Sequence, residues 1–272
     1  MNSSAVALPD ILLSLTRHAG LARQMVKREV LGRYRGSFLG LLWSFVTPVL
    51  MLTVYTFVFG IVFQARWGQG SGDRLEFALV LFAGLIVFNL FAECLTRAPG
   101  LVLGNVNYVK KVIFPLEILP WVSLGSALFH AAISLGVLLV FLLLTGHGVP
   151  WTAALLPIVL APFLLLIMGL SWLLASLGVF VRDVGQVVGM AMTVLMFMSP
   201  IFYPADALPE AVRGWLFLNP LSFVIEQSRD ALIWGRAPDW AGLTLYAAIS
   251  LAVAWVGLFW FQKTRKGFAD VL

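Results

Sequence analysis

Charge is scarce in this chain, at 11% of 272 residues, where soluble domains carry roughly 25%. That shortage all but excludes a water-soluble globule. Cysteine is nearly absent, with Cys94 alone, so there is neither a disulfide framework nor a thiolate cluster for a structural metal. The histidines, His18, His130 and His147, are too scattered to suggest a metal site. Catalytic signatures are missing too. No G-x-x-x-x-G-K-[ST] run is present to cradle nucleotide phosphates, and Lys263-Thr264 lacks the upstream glycines. Neither H-E-x-x-H nor G-x-S-x-G occurs. These absences point away from an enzyme and leave no metal or cofactor to expect on this chain.

What is abundant is apolar sequence, 61% of the chain. Asp, Glu, Lys and Arg are missing from 38–63, 77–92, 118–145, 151–181, 184–205 and 240–262. About 20 apolar residues cross a hydrocarbon core. The second run reaches that length as 75–95 if Glu76 and Glu93 lie at the two headgroup layers. The expectation is an all-α integral membrane protein with six transmembrane helices over 38–63, 75–95, 118–145, 151–181, 184–204 and 240–262. Alternation of the barrel-strand kind is absent. Arg17, Arg23, Lys27, Arg28, Arg33, Arg35, Arg97, Lys110, Lys111, Arg182, Lys263, Arg265 and Lys266 fall on one side. Only Arg66, Arg74, Arg213, Arg229 and Arg236 fall on the other. The positive-inside rule then places both termini in the cytoplasm. Domain boundaries follow: a cytoplasmic N-terminal segment 1–37, a transmembrane domain 38–262 and a cytoplasmic tail 263–272. Pro9-Asp10 interrupts the first apolar stretch and no basic residue precedes it, so no signal peptide is expected.

Several segments carry more than a span. Leu8, Ile11, Leu12, Leu15, Ala19, Ala22, Val26 and Val30 recur at helical spacing, with Arg17, Arg23, Lys27 and Arg28 off the stripe. An amphipathic helix lying on headgroups is expected over 8–30. Gly32, Gly36 and Gly40, and the pair Gly185 and Gly189, are spaced for close helix contact within one subunit. Pro48, Pro157, Pro162, Pro200 and Pro204 favour kinks or breaks. After the Pro200/Pro204 pair, 205–239 mixes charge with apolar pieces too short to span, which predicts two short helices dipping back into the membrane. A short helix over 99–111, carrying Asn105, Asn107, Tyr108, Lys110 and Lys111, is either a docking surface for another protein or a simple topogenic loop. No Asp, Glu, Lys or Arg lies deep in a span, which argues for an external energy source rather than ion coupling. His130 reads as a packing histidine. Trp43, Tyr55, Trp172, Phe197 and Phe202 are deep aromatics that either pack or face a path where rings stack on sugars.

Certain runs resemble a family. Gly32-Arg-Tyr-Arg-Gly-Ser-Phe-Leu-Gly-Leu-Leu-Trp43 with Pro48, then Tyr108-Val-Lys-Lys-Val-Ile-Phe-Pro-Leu-Glu-Ile-Leu-Pro120, resemble the membrane (permease) subunit of the bacterial polysaccharide ABC exporters. Arg182-Asp183, Ser199-Pro-Ile-Phe-Tyr-Pro204, Asn219-Pro-Leu221 and Phe268-Ala-Asp270 continue the likeness along the whole chain. The resemblance implies a homodimeric permease in the bacterial inner membrane, working with two copies of a separate ATPase that holds ATP and Mg. Its implied cargo is a lipid-linked polysaccharide such as O-antigen, and neither nucleic acid nor a cofactor on this chain is implied. It further implies that 99–111 is the coupling helix received by the ATPase through Asn105, Tyr108, Lys110 and Lys111, that 205–225 forms outer gate helices, and that Arg33 and Arg35 meet the lipid pyrophosphate. Arg suits that role because it binds phosphate oxygens bidentately. Two other readings stand beside it: an ABC permease for drugs or small lipids, and a membrane scaffold or glycolipid enzyme that transports nothing.

Overall fold

The structure, a computed structural model, describes residues 16–63, 67, 74–110, 114–207, 209–210, 214, 216 and 218–272. Among these residues every regular element is helical and there is no strand. Helix α1 is Ala19–Arg33. A turn leads into a 3-10 turn, α2 (Trp43–Tyr55) and a π-helical stretch Thr56–Val62. Then come α3 (Arg74–Arg97), 3-10 turns at Ala98–Gly100 and Leu103–Asn105, and α4 (Val106–Lys110). Next are α5 (Leu119–Leu144), α6 (Leu156–Phe180, entered through a 3-10 turn Trp151–Leu155) and α7 (Val184–Met198). Helix α8 (Pro220–Arg229) runs into a π turn Asp230–Trp234, and α9 (Trp240–Thr264) and α10 (Phe268–Val271) close the chain.

Five helical segments are long and apolar enough to cross a membrane: Gly40–Val62, Leu75–Gly100, Leu116–Leu144, Trp151–Phe180 and Trp240–Val271. They reproduce five of the six expected spans within a few residues. The fifth expected span, 184–204, is shorter. Helix α7 has 15 residues, about 22 Å at 1.5 Å per residue, against roughly 30 Å of hydrocarbon. Its stop is local, because Pro200 disfavours the α conformation one residue earlier, and Ser199 is extended at φ −91° and ψ 150°. In the fourth segment Pro157 sits in the first α turn, where its missing donor costs nothing, and Pro162 is carried inside the helix.

Helix α3 is the hub. Its apolar window is 72% buried within the chain, against 11% for Gly40–Val62. It touches α2, α5, α6, α7 and α8, and Phe91 stacks on Phe163 of α6 at 5.8 Å. Between apolar helices in lipid, packing rather than water exclusion drives association, so small residues set the approach. The most extensive contact, α6 with α9, rests on Gly169 and Gly257, where a Cβ on either would collide with the backbone of the other helix. Gly178 takes Pro99 in the same way. The glycines expected to do this within one subunit do not. Gly32, Gly36, Gly40, Gly185 and Gly189 have open space around their Cβ positions, and Gly36 and Gly40 adopt φ of +84° and +52°, turning the chain after α1 instead of lining a helix.

The described part of the amphipathic segment follows its periodicity from Ala22 onward, while Ala19 at its start is exposed. Ala22, Met25 and Val30 are buried and Val26 seats against Gly125 of α5, while Arg23, Lys27 and Arg28 are exposed. Residues 8–15 of the stripe lie outside the described residues. Of the two short helices expected after α7, the second is α8. The first would fall across 208–217, where 208, 211–213, 215 and 217 lie outside the described residues. Helix α8 is no surface cap. Leu221, Val224, Ile225, Gln227, Ser228 and Arg229 are all buried.

Two caps hold this region. Asn219 accepts from Leu221 N through Oδ1 (2.9 Å) and donates through Nδ2 to Met198 O (3.2 Å) and Ser199 Oγ (2.9 Å). It therefore begins α8 and ties it to the end of α7. Asp239 Oδ1 accepts from Ala241 N and Gly242 N, both 3.1 Å, to begin α9. Between them Arg229 is 1% exposed. It donates to Val80 O (2.9 Å), Pro200 O (2.5 Å) and Ile201 O (3.0 Å), and lies 4.4 Å over the Trp67 ring. A Cβ at Gly84 would stand 2.6 Å from Arg229 Nη2, so Gly84 is the notch through which the guanidinium reaches the carbonyls released where α7 breaks. The sequence reading that no arginine lies deep holds for the spans themselves and misses this residue, which reaches the interior from the segment between them.

Candidate functional site

A cavity of about 610 Å³ opens between the end of α1, α2, α3 and α5. The turn that follows α1 builds it. Helix α1 ends at Tyr34, Gly36 reverses the backbone at positive φ, and Ser37 Oγ accepts from Gly40 N at 3.1 Å. Arg33 and Tyr34 are thereby set against α3 and α5. Arg33 Nη1 contacts Glu93 Oε1 at 2.5 Å and His130 Nδ1 at 3.0 Å, and that ring nitrogen lies 3.3 Å from Glu93. Glu93 also has Arg97 Nη1 at 3.7 Å, and Arg97 pairs with Glu29 of α1. The Tyr34 ring meets His130 edge-on at 6.1 Å. Burial raises the Tyr34 hydroxyl pKa, with Arg33 opposing and Glu93 adding to the rise. Over the rest, Ser44, Thr47, Tyr55 and Asn89 place uncharged polar groups among apolar side chains such as Met51, Phe82, Leu85 and Ile86. Such a wall offers fixed cations for an anionic group and hydroxyl and amide partners for a hydroxyl-rich one.

The two arginines that the resemblance pairs are not equivalent. Arg33 is built into the cavity wall. Arg35 is exposed and its side chain has no polar partner among the described residues. His130 is no isolated packing histidine but part of this cluster, with its Nε2 buried and without a partner. Its depth was visible in the sequence, whereas the convergence of Glu29, Arg33, Glu93, Arg97 and His130 was not, since no spacing rule joins residues on three separate helices.

Residues 98–110 form a broken helical segment at the same end of the bundle. Tyr108 is half-buried, its hydroxyl receives Arg28 Nη2 at 3.1 Å and its ring stacks on Phe114 at 4.3 Å. Asn105 Nδ2 donates to Leu101 O at 2.8 Å, and Asn107 is exposed. Lys110 closes α4, and Lys111 lies outside the described residues. Below the segment, Arg265 of the tail donates to Glu117 Oε2 and Phe114 O, both at 2.8 Å.

The five deep aromatics separate. Trp43 and Phe197 are exposed on the bundle surface, at 41% and 60%. Tyr55 lines the cavity, and Phe202 stacks on Phe197 at 5.8 Å. Trp172 takes the packing alternative of the two. It has no exposed surface, packs edge-on against Trp121 at 5.9 Å and donates Nε1 to Glu117 O at 3.0 Å. Its indole is committed to the interior of the chain.

Long apolar helices around a buried hub, with polar groups gathered at one end, define a multi-pass helical membrane protein. Residues 21–233 match the ABC-2 type transporter family, and the chain belongs to it. It is similar to the O-antigen export system permease protein RfbA of Myxococcus xanthus, 29% identical over 96% of this chain and 98% of that protein. A protein of the same name from Klebsiella pneumoniae is 26% identical over 91% of this chain and 93% of its own length. The polysialic acid transport protein KpsM of Escherichia coli is 25% identical over 88% and 91%. The chain is accordingly a transport permease of this family, a role in which no catalytic group of its own is needed.

Proposed function

We propose that this chain is the membrane subunit of an ATP-driven exporter that moves a lipid-linked polysaccharide, O-antigen or a similar glycan, out across the bacterial inner membrane. The observation that carries the reading is likeness over nearly the full length to permeases named for O-antigen and polysialic acid export, joined to a cavity with arginines at one side and hydroxyl and amide groups set among apolar residues over the rest. A glycan on a lipid phosphate presents those two chemistries in one molecule. Two copies form the path, with α7 as the short fifth of six spans and both termini cytoplasmic, as the basic residues around α1, 97–111 and the tail favour. ATP and Mg are held by two copies of a partner ATPase, which receives the segment 99–111 through Asn105, Tyr108, Lys110 and Lys111. Arg33 meets the lipid phosphate at the cavity.

The experiment is purification of the tagged chain from its native membrane in mild detergent, with mass measurement of the particle. Two copies with two ATPase chains are expected. A particle that exports glycan in its cell yet carries no ATPase would sink the reading. Lys110→Glu with Lys111→Glu should release the ATPase while membrane insertion is kept, and undiminished co-purification would remove these lysines from the docking role.

A further inference from the structure

Resting on the reading that Arg33 meets a lipid phosphate, we propose that Glu93 and His130 are a positioning pair for Arg33. They hold one guanidinium nitrogen so that the Nε and Nη2 edge stays free to grip a phosphate bidentately, and Arg35 has no such role. Both contacts of the Arg33 side chain use the same atom, Nη1, at 2.5 Å to Glu93 and 3.0 Å to His130. The other edge of the guanidinium has no partner among the described residues, and the side chain is 51% exposed beside the cavity. A guanidinium held along one side and open along the other is half of a fork-to-oxyanion contact, assembled before the ligand arrives.

The holding groups come from different helices. Glu93 is on α3, the most buried segment, and is itself only 18% exposed. His130 is on α5, where its ring is fixed between Tyr34 and Phe129 by edge contacts at 6.1 Å and 5.6 Å. Arg97 stands 3.7 Å from the Glu93 carboxylate and offsets part of its charge, so the carboxylate orients Arg33 without cancelling its attraction for an anion. An arginine side chain gives up rotamer freedom when it binds, and the two contacts on Nη1 already restrict Arg33. At Arg35, exposed and unrestrained, that freedom remains to be lost on binding. The chemistry recognised is a phosphate ester at headgroup depth, which two sources could supply: the diphosphate of a polyprenyl carrier or an ordinary bilayer phospholipid. A diphosphate carries more charge and more oxygens than a phosphodiester, and on that electrostatic ground it is the source taken here.

The test uses the permease with its co-purifying ATPase in phosphatidylcholine nanodiscs, titrated in parallel with a polyprenyl diphosphate and with phosphatidylglycerol. Wild type should take up the diphosphate in preference. Arg33→Lys and Glu93→Gln should each weaken it about tenfold, equivalent to 1.4 kcal/mol, and Arg35→Lys should stay within about twofold. In an Arg33→Gln background, Glu93→Gln should have no further effect on binding, whereas a merely structural role for Glu93 would still show. Arg33→Lys alters an exposed side chain, so it remains informative even if Glu93→Gln lowers folded yield. Diphosphate binding that is indifferent to Arg33→Lys, or equally sensitive to Arg35→Lys, overturns the positioning pair alone. Equal uptake of both lipids overturns the diphosphate assignment. No uptake of either by wild type overturns this proposal together with the role given to Arg33 under the proposed function.

Discussion

Arg229 is the most consequential single side chain for the stability of the region between α7 and α9, and replacing it tests how the broken α7 is held. The change Arg229→Met keeps an unbranched stem but is shorter, and it removes all three donors to Val80 O, Pro200 O and Ile201 O. A buried carbonyl left without its donor costs roughly 1–3 kcal/mol. Three such groups give about 3–9 kcal/mol, held toward the lower end because a buried cation is removed as well. On the scale of about 2–4 °C per kcal/mol for soluble domains of nearly this length, the unfolding midpoint should fall by roughly 6–12 °C at the lower figure. Arg229→Lys restores charge but offers a point donor in place of a planar fork, and should fall between the two. Gly84→Ala should reproduce the loss without touching the arginine, since the added Cβ would lie 2.6 Å from Nη2. Thermal unfolding of the purified protein in mild detergent, followed by intrinsic fluorescence, measures all of these. Arg229→Met in a Gly84→Ala background should add little to Arg229→Met alone, as expected for residues acting through one contact. Midpoints of Arg229→Met and Gly84→Ala within about 2 °C of wild type would refute the reasoning.

Other contacts carry expectations of their own. Gly257→Ala should lower folded yield sharply because its Cβ meets the Gly169 backbone, whereas Gly189→Ala, with open space around it, should shift the unfolding midpoint by less than about 0.5 kcal/mol. Trp172→Phe should cost about 1 kcal/mol through the lost bond to Glu117 O and leave surface glycan normal, while a large export defect with unchanged stability would return Trp172 to the path. Glu117→Gln should weaken the hold of Arg265 on the loop before α5, seen as faster amide exchange or proteolysis at the tail, and identical protection would show that the pair contributes nothing there.

Much of this arrangement could be read from the order of residues. Charge-free runs marked the spans, because a charge in hydrocarbon is costly whatever its neighbours. The Pro200/Pro204 pair marked a break, because prolines act over a few residues, but the expected span ran on to 204 where α7 stops at Met198, and the start of α8 at Pro220 lies well inside the expected 205–225. What escaped was contact across long separations. Arg229 meets Val80 from 149 positions away, and the sequence shows it only as one more loop cation. Gly169 and Gly257 lack the four-residue spacing that drew attention to Gly32, Gly36 and Gly40. The cluster at Glu93 was half legible, since His130 stood out by depth and Arg33 by its basic surroundings, but nothing in either placed them around one carboxylate.

The backbone contact at Gly169 and Gly257 also limits how the protein can work. Sliding α9 past α6 by one turn, about 5.4 Å, would bring Val253 or Phe261 to a place where not even a methyl group fits. The two helices are therefore welded into a single stationary beam, with no intermediate setting. Any rearrangement has to be borne elsewhere, and Gly40–Val62, only 11% buried within the chain, is the segment with the least packing to give up.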